Sequence, residues 1–183
     1  AIKISKQNPS IMYVATGGKH LGQGSGVFKS TDGGVTWTQL QSTITSFARG
    51  VVQELEVSPY NSNLLLAASF WDIKRSIDGG ASWTNVLPNY RICDIEFLDS
   101  NANRVVAGSC DSQSATMYSS DGGQSWSASS GIPIQDRKID LEFSRSSPGV
   151  VYALAGRKNG ALADQLYKST NYGASFSFVS NTN

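Results

Sequence analysis

Trp71 and Asp72 stand side by side in a chain whose other tryptophans all lie in a repeated motif. An indole face beside a carboxylate suits a sugar ring, which offers C–H groups for stacking and hydroxyls for hydrogen bonding. The structural alternative is that Trp71 covers the rim of the sheet that carries it. His20 is the sole histidine and follows Lys19 in a stretch containing Gly17, Gly18, Gly22, Gly24 and Gly26. It reads either as a ligand-binding group or as a solvated loop residue. The glycines make no phosphate loop, because no helical pattern follows them. Arginines form a second pattern. Arg91 and Arg137 precede Asp94 and Asp140 by three residues, and Arg49 precedes Glu54 by five. Three guanidinium groups aimed at one cavity would serve an anionic ligand, whereas dispersed arginines, each beside an acid, are structural. Dispersal is expected. No residue is assigned a catalytic role. Cys93, Cys110 and His20 lack zinc spacing, so neither a metal nor a cofactor is expected.

A repeat must position these groups. Ser30-Thr-Asp-Gly-Gly-Val-Thr-Trp37 recurs as Ser76-Ile-Asp-Gly-Gly-Ala-Ser-Trp83 and Ser119-Ser-Asp-Gly-Gly-Gln-Ser-Trp126, then decays to Ser169-Thr-Asn-Tyr-Gly-Ala-Ser-Phe176. The starts are 46, 43 and 50 residues apart (30 to 76, 76 to 119, 119 to 169). That period, with strands between the motifs, signals an array of propeller-like units. In the second unit, Val51 to Pro59, Leu64 to Phe70, Asp72 to Ile77 and Trp83 to Leu87 read as four strands. Equivalent quartets start at Ala1, Cys93 and Lys138. No stretch sustains an apolar period near 3.6, so almost no helix is expected. The units fall at about 1–45, 46–90, 91–135 and 136–183, forming one continuous domain or half-domain.

The motif S-x-D-x-G-x-x-W resembles the Asp-box, or BNR repeat, found in sialidases, xyloglucan-degrading glycoside hydrolases, sortilin-type receptors and photosystem assembly factors. Large secreted bacterial surface proteins carry similar propellers. The resemblance implies an all-β fold, a β-propeller of four-stranded antiparallel blades, with four blades present. It places Ser30, Asp32, Gly34 and Trp37 in a structural hairpin between third and fourth strands. The later copies are Ser76, Asp78, Gly80 and Trp83, then Ser119, Asp121, Gly123 and Trp126. In Ser169, Asn171, Gly173 and Phe176 the substitutions predict a looser turn. Ligands would sit on the opposite rim, which carries Lys19, His20, Trp71, Asp72, Asp111 and the segment Arg157 to Asp164. Sialidases bind a carboxylate through three arginines, which Arg49, Arg91 and Arg137 could imitate. Their Arg-Ile-Pro element should precede the first box, yet Tyr90-Arg91-Ile92-Cys93 follows the second. The paired aspartates of the xyloglucanases have no match here.

Charged residues make up 16% of the chain and the net charge is +1. No basic run points to nucleic acid, and no apolar stretch reaches the roughly 20 residues that span a bilayer. A hairpin turning near Ser100 to Asn103 would set Cys93 opposite Cys110, as cross-strand neighbours that are either free thiols or a disulfide. The chain reads as part of a larger ring, with a homodimeric eight-bladed ring and a closed four-bladed ring as alternatives. Two open blade faces would be apolar, and the remaining blades of the same protein or a second copy would cover them. The expected function is an extracellular or cell-surface scaffold presenting loops to a glycan or protein. The alternative is a fragment of a glycoside hydrolase of xyloglucanase or sialidase type, with Trp71 as platform and Asp72 as one carboxylate.

Overall fold

The computed structural model describes residues 1–17, 24–110, 115–133, 137–157 and 164–182, without the side chains of Arg49, Arg137, Arg157 and Thr182. Lys19, His20 and Asp111 lie outside the described residues. Two compact units, Ala1–Asn89 and Tyr90–Asn183, each hold two antiparallel sheets. The first sheet comprises β1 (Ile2–Ile4), β2 (Met12–Ala15), β3 (Val27–Ser30) and β4 (Thr38–Gln39). The second comprises β5 (Glu54–Ser58), β6 (Asn61–Ala68), β7 (Asp72–Ser76) and β8 (Thr84–Pro88). In the other unit, β9 (Ile92–Leu98), β10 (Asn101–Ser109), β11 (Thr116–Ser119) and β12 (Ser127–Ala128) form the third sheet. The fourth contains β13 (Arg137–Phe143), β14 (Val151–Arg157), β15 (Asp164–Ser169) and β16 (Ser177–Thr182). Each is a meander in which every strand pairs with its sequence neighbours.

The repeated motif closes the hairpin between third and fourth strands through one small network. Ser76 Oγ donates to Asp78 at 2.7 Å and accepts the Gly80 amide at 2.8 Å. Asp78 also accepts the Ser82 amide at 2.9 Å and the Ser82 hydroxyl. Asp32 and Asp121 repeat these bonds in their own turns. The turn needs two successive residues with positive φ, which Gly79 and Gly80 adopt at 71° and 88°. The Thr36 hydroxyl holds the Asp32 carboxyl well down, at about 2, and the Ser82 hydroxyl does the same for Asp78. At Asp121 burial works upward, yet bonds from Ser125 and Ser119 outweigh it and leave the carboxyl lowered.

The fourth turn is not looser, contrary to the sequence expectation. Ser169 Oγ donates to Asn171 at 2.9 Å and accepts the Gly173 amide at 3.0 Å. Asn171 keeps the acceptor for the Ser175 amide and reverses one bond, its Nδ2 donating to Ser175 Oγ at 2.9 Å. Tyr172 adopts φ 59° where the other copies have glycine. An amide thus replaces the carboxylate because the serine hydroxyl can rotate to accept as well as donate.

Each motif is also tied to the hairpin between first and second strands of its own sheet. The Gly79 amide donates to Asn63 O at 2.9 Å, and Gly33, Gly122 and Tyr172 do the same to Ser10, Asn103 and Gly149. Both hairpins therefore share one rim, and the turns between second and third strands, including Trp71, occupy the opposite one. The first unit is filled by Tyr13, Val27, Leu55 and Leu65, with Trp83 set edge-on to Phe47 at 5.3 Å. The second buries Val106, Ile139, Val151 and Phe176. Trp83 and Phe176 cover apolar surface, whereas Trp37 stays exposed.

One short helix, α1 (Gln41–Ser46), with a 3-10 turn at Ala48–Gly50, is the small helical content that the expectation of almost no helix allows, and it delays β5 from the expected Val51 to Glu54. Its cause is a side chain rather than a periodicity. Buried Thr43 accepts the Val27 amide at 2.9 Å and donates to Leu40 O at 2.6 Å, pinning one turn of chain.

Asp78→Ala should cost about 0.5–1 kcal/mol, a capping loss discounted for solvent screening, whereas Asp78→Asn should copy the Asn171 geometry and cost less. A lowered folded-state pKa gives stability that is present above the ordinary carboxylate value and lost as pH falls through about 2. Thermal unfolding should therefore show the wild-type advantage over Asp78→Asn shrinking from pH 4 toward pH 2.

Candidate functional site

The turn from β6 to β7 contains Ser69, Phe70 and Trp71, and the Ser69 amide closes it by donating to Asp72 O at 2.9 Å. None of the turn residues has positive φ. Trp71 is 64% exposed. Asp72 is held on every side: Ser69 Oγ donates to one oxygen, and Lys74 Nζ at 2.6 Å and Asn85 Nδ2 at 3.1 Å bind the other. The Lys74 ammonium also lies 5.7 Å from the Phe47 ring centroid, which roots the corner in the core of its unit. The carboxylate thus fixes the turn, and the indole projects from a rigid base. Sequence reading set Trp71 beside Asp72 but could not see Ser69, Lys74 and Asn85 converging on the acid, because those contacts come from three different segments.

The acids of the first strands are paired as well. Lys3 of β1 bonds Glu56 of β5, and lies 3.6 Å from Glu54. Burial pushes the Glu56 carboxyl up to about 7 against the opposing pull of Lys3. In the second unit Asp94 accepts the Leu141 amide at 2.5 Å, and Lys138 pairs with Asp140 at 2.5 Å. Lys3 is thus a cationic partner of both Glu54 and Glu56. Of the arginines, Arg49 belongs to the 3-10 turn and Arg137 opens β13, their side chains lying outside the description. Arg91 is half-buried, and its Nε has no partner among the described residues. No group of three His, Cys, Asp or Glu side chains suited to a metal occurs among the described residues.

A pKa raised in the folded state contributes stability that is complete below the ordinary carboxylate value and is lost as pH rises through about 7. Glu56→Gln should therefore flatten the decline in unfolding temperature between pH 5 and pH 8, as measured by calorimetry against the wild type.

The sequence profile of the BNR/Asp-box repeat matches residues 117–128, the third motif with its flanking strands. The whole chain superposes on an ancestral GH74 enzyme with a TM-score of 0.81 at 21% identity, spanning 24% of that protein. This is a β-propeller. Four of its blades are described, built on Asp-box turns. A GH74 xyloglucanase from Xanthomonas campestris is similar over 98% of the chain and 38% of its own length, with a TM-score of 0.56 at 17% identity. YCF48 bound to D1 peptide is similar over 92% of the chain and 48% of its own length, with a TM-score of 0.59 at 18% identity. The propeller chain thus spans about a quarter of the ancestral enzyme's length. No curated protein matches it in sequence. No helix among the described residues is long and apolar enough to cross a membrane.

In the third blade Cys93 and Cys110 form a disulfide with Cα atoms 5.7 Å apart. The two are neighbours as expected, but by a different register. Val105 pairs with Phe97 and Gly108 with Asp94, then a bulge shifts Ser109 onto Ile92. Cys93 is the extra residue of that bulge, which returns it to the reach of Cys110. The bridge spans a sequence separation of 17, so Cys93→Ser should destabilise the propeller by about 2–4 kcal/mol in denaturant titrations.

Proposed function

We propose that this propeller is a non-catalytic binding module that offers Trp71 to a glycan as a stacking platform. The observation carrying the reading is the contrast within one turn: an exposed indole beside a carboxylate already committed to Ser69, Lys74 and Asn85. A glycosidase carboxylate must reach either the glycosidic oxygen or the anomeric carbon. Asp72 instead spends its acceptors on its own turn, while an aromatic plane needs only exposure to stack on sugar C–H groups. The GH74 likeness supports a polysaccharide ligand class, and the xyloglucanase among those structures makes xyloglucan oligosaccharides the natural probe. The Cys93–Cys110 bridge supports an oxidising location, extracellular or at a cell surface.

Calorimetric titration with xyloglucan oligosaccharides should detect binding that Trp71→Ala weakens at least about tenfold, with no new reducing ends released by the wild type. Unchanged affinity in Trp71→Ala would remove the platform. Release of reducing ends that Asp72→Asn abolishes would establish the hydrolase reading instead.

A further inference from the structure

The bridge in the third blade sits on a register defect that sets the seam with the fourth. Gly108 pairs with Asp94 and Ser109 with Ile92, so Cys93 is the extra residue of β9 at this point of the ladder. Two contacts with β13 lie beside the defect. Asp94 accepts the Leu141 amide at 2.5 Å. At Gly108, opposite Asp94, an added Cβ would collide with Ile139 O, so the two blades meet there backbone to backbone. The seam therefore needs Asp94 held in the ladder, opposite a residue with no side chain.

A bulge is one extra residue, and the rest of the ladder does not dictate which residue is extra. A step of one position would expel Asp94 and return Cys93 to the place opposite Gly108. The pairs Ile95–Ala107 and Phe97–Val105 are the same in both arrangements, and so is the buried face that Ile95 and Phe97 form. The bond from Cys93 to Cys110, whose Cα atoms are 5.7 Å apart, holds the defect at Cys93.

The surroundings of the bridge favour its opening by thiols. Cys93 is half-buried and Cys110 buried, so an incoming thiolate meets Cys93 first. The Cys110 amide donates to Arg91 O at 3.0 Å, which sets Arg91 opposite Cys110 on one face of the sheet. Arg91 is half-buried, and its Nε has no partner among the described residues. A guanidinium so placed stabilises a thiolate leaving at Cys110, and a thiol of lowered pKa leaves faster.

We propose that the Cys93–Cys110 bridge is a redox latch: reduction by a dithiol frees the bulge, withdraws Asp94 from Leu141 and opens the seam between the third and fourth blades. One thiolate of the dithiol attacks Cys93 Sγ. A mixed disulfide forms, the Sγ–Sγ bond breaks, and Cys110 departs as a thiolate. The second thiol of the reagent then closes on the first and releases Cys93. Two electrons pass to the bridge, the dithiol becomes a disulfide, and its two protons balance the two new thiols. Oxidation by a small disulfide reverses both steps and locks the seam again.

Hydrogen exchange of the folded 183-residue chain, read by mass spectrometry with and without dithiothreitol, tests the latch. On reduction the segment containing Leu141 should lose protection at least about tenfold, while β5 to β8 of the first unit keep theirs. Asp94→Ala should give the same local loss with the bridge intact. Arg91→Gln should slow reduction several-fold and leave Leu141 protected in the oxidised chain, a split that a merely structural arginine would not give. The reagent acts on the wild type, so the result does not depend on a cysteine variant folding. Unchanged Leu141 exchange in the reduced chain would overturn the proposal. Equal loss in both units, the mark of global unfolding, would overturn it too, as would a reduction rate indifferent to Arg91→Gln.

Discussion

The buried serine hydroxyl at the head of each Asp-box is the contact on which the blades depend. Ser30, Ser76, Ser119 and Ser169 are all buried, and each accepts a glycine amide while donating to the residue two positions on. A hydroxyl suits this place because one atom can be both donor and acceptor. The bond fixes the tight pair of left-handed residues, which in turn presents an amide to the neighbouring hairpin of the same blade. Two hairpins thereby become one four-stranded sheet with a defined rim. The aspartate is subordinate: it can become asparagine, as at Asn171, provided an acceptor remains for the Ser175 amide.

Period and turn chemistry made the architecture legible before any coordinates. Spacing of the Ser-x-Asp-x-Gly-x-x-Trp copies located all four hairpins, and alternation located the strands of the second blade closely. Misses came where a single side chain overruled the pattern. Thr43 folds Gln41–Ser46 into a helix that no periodicity announces, and β5 starts late in consequence. The bulge at Cys93 changes the register by one residue and still brings the cysteines together, so a correct contact followed from an incorrect pairing.

The candidate site was legible in composition and not in wiring. Trp71 stood out because it is the one tryptophan outside the repeat. The commitment of Asp72 to Lys74 and Asn85 depends on how β7 and β8 meet, which sequence spacing does not specify. Likewise the acids of the first strands looked like partners for arginine, whereas Lys3 reaches Glu54 and Glu56 because β1 and β5 run close together in the first unit. Identical positions in successive blades carry residues of opposite charge at this one place, and only the fold makes those positions neighbours.

The brevity of the turn that carries Trp71 has a thermodynamic consequence. Most exposed aromatic side chains on long loops lose backbone freedom when a ligand orders them, at about 1–2 kcal/mol per residue fixed. Here folding has already removed that freedom. Three residues span the strands, the flanking carboxylate is bound by three donors, and the lysine among them rests on a core ring. A partner landing on the indole therefore meets a surface whose entropy was surrendered when the chain folded, so even a small contact area retains most of its interaction energy.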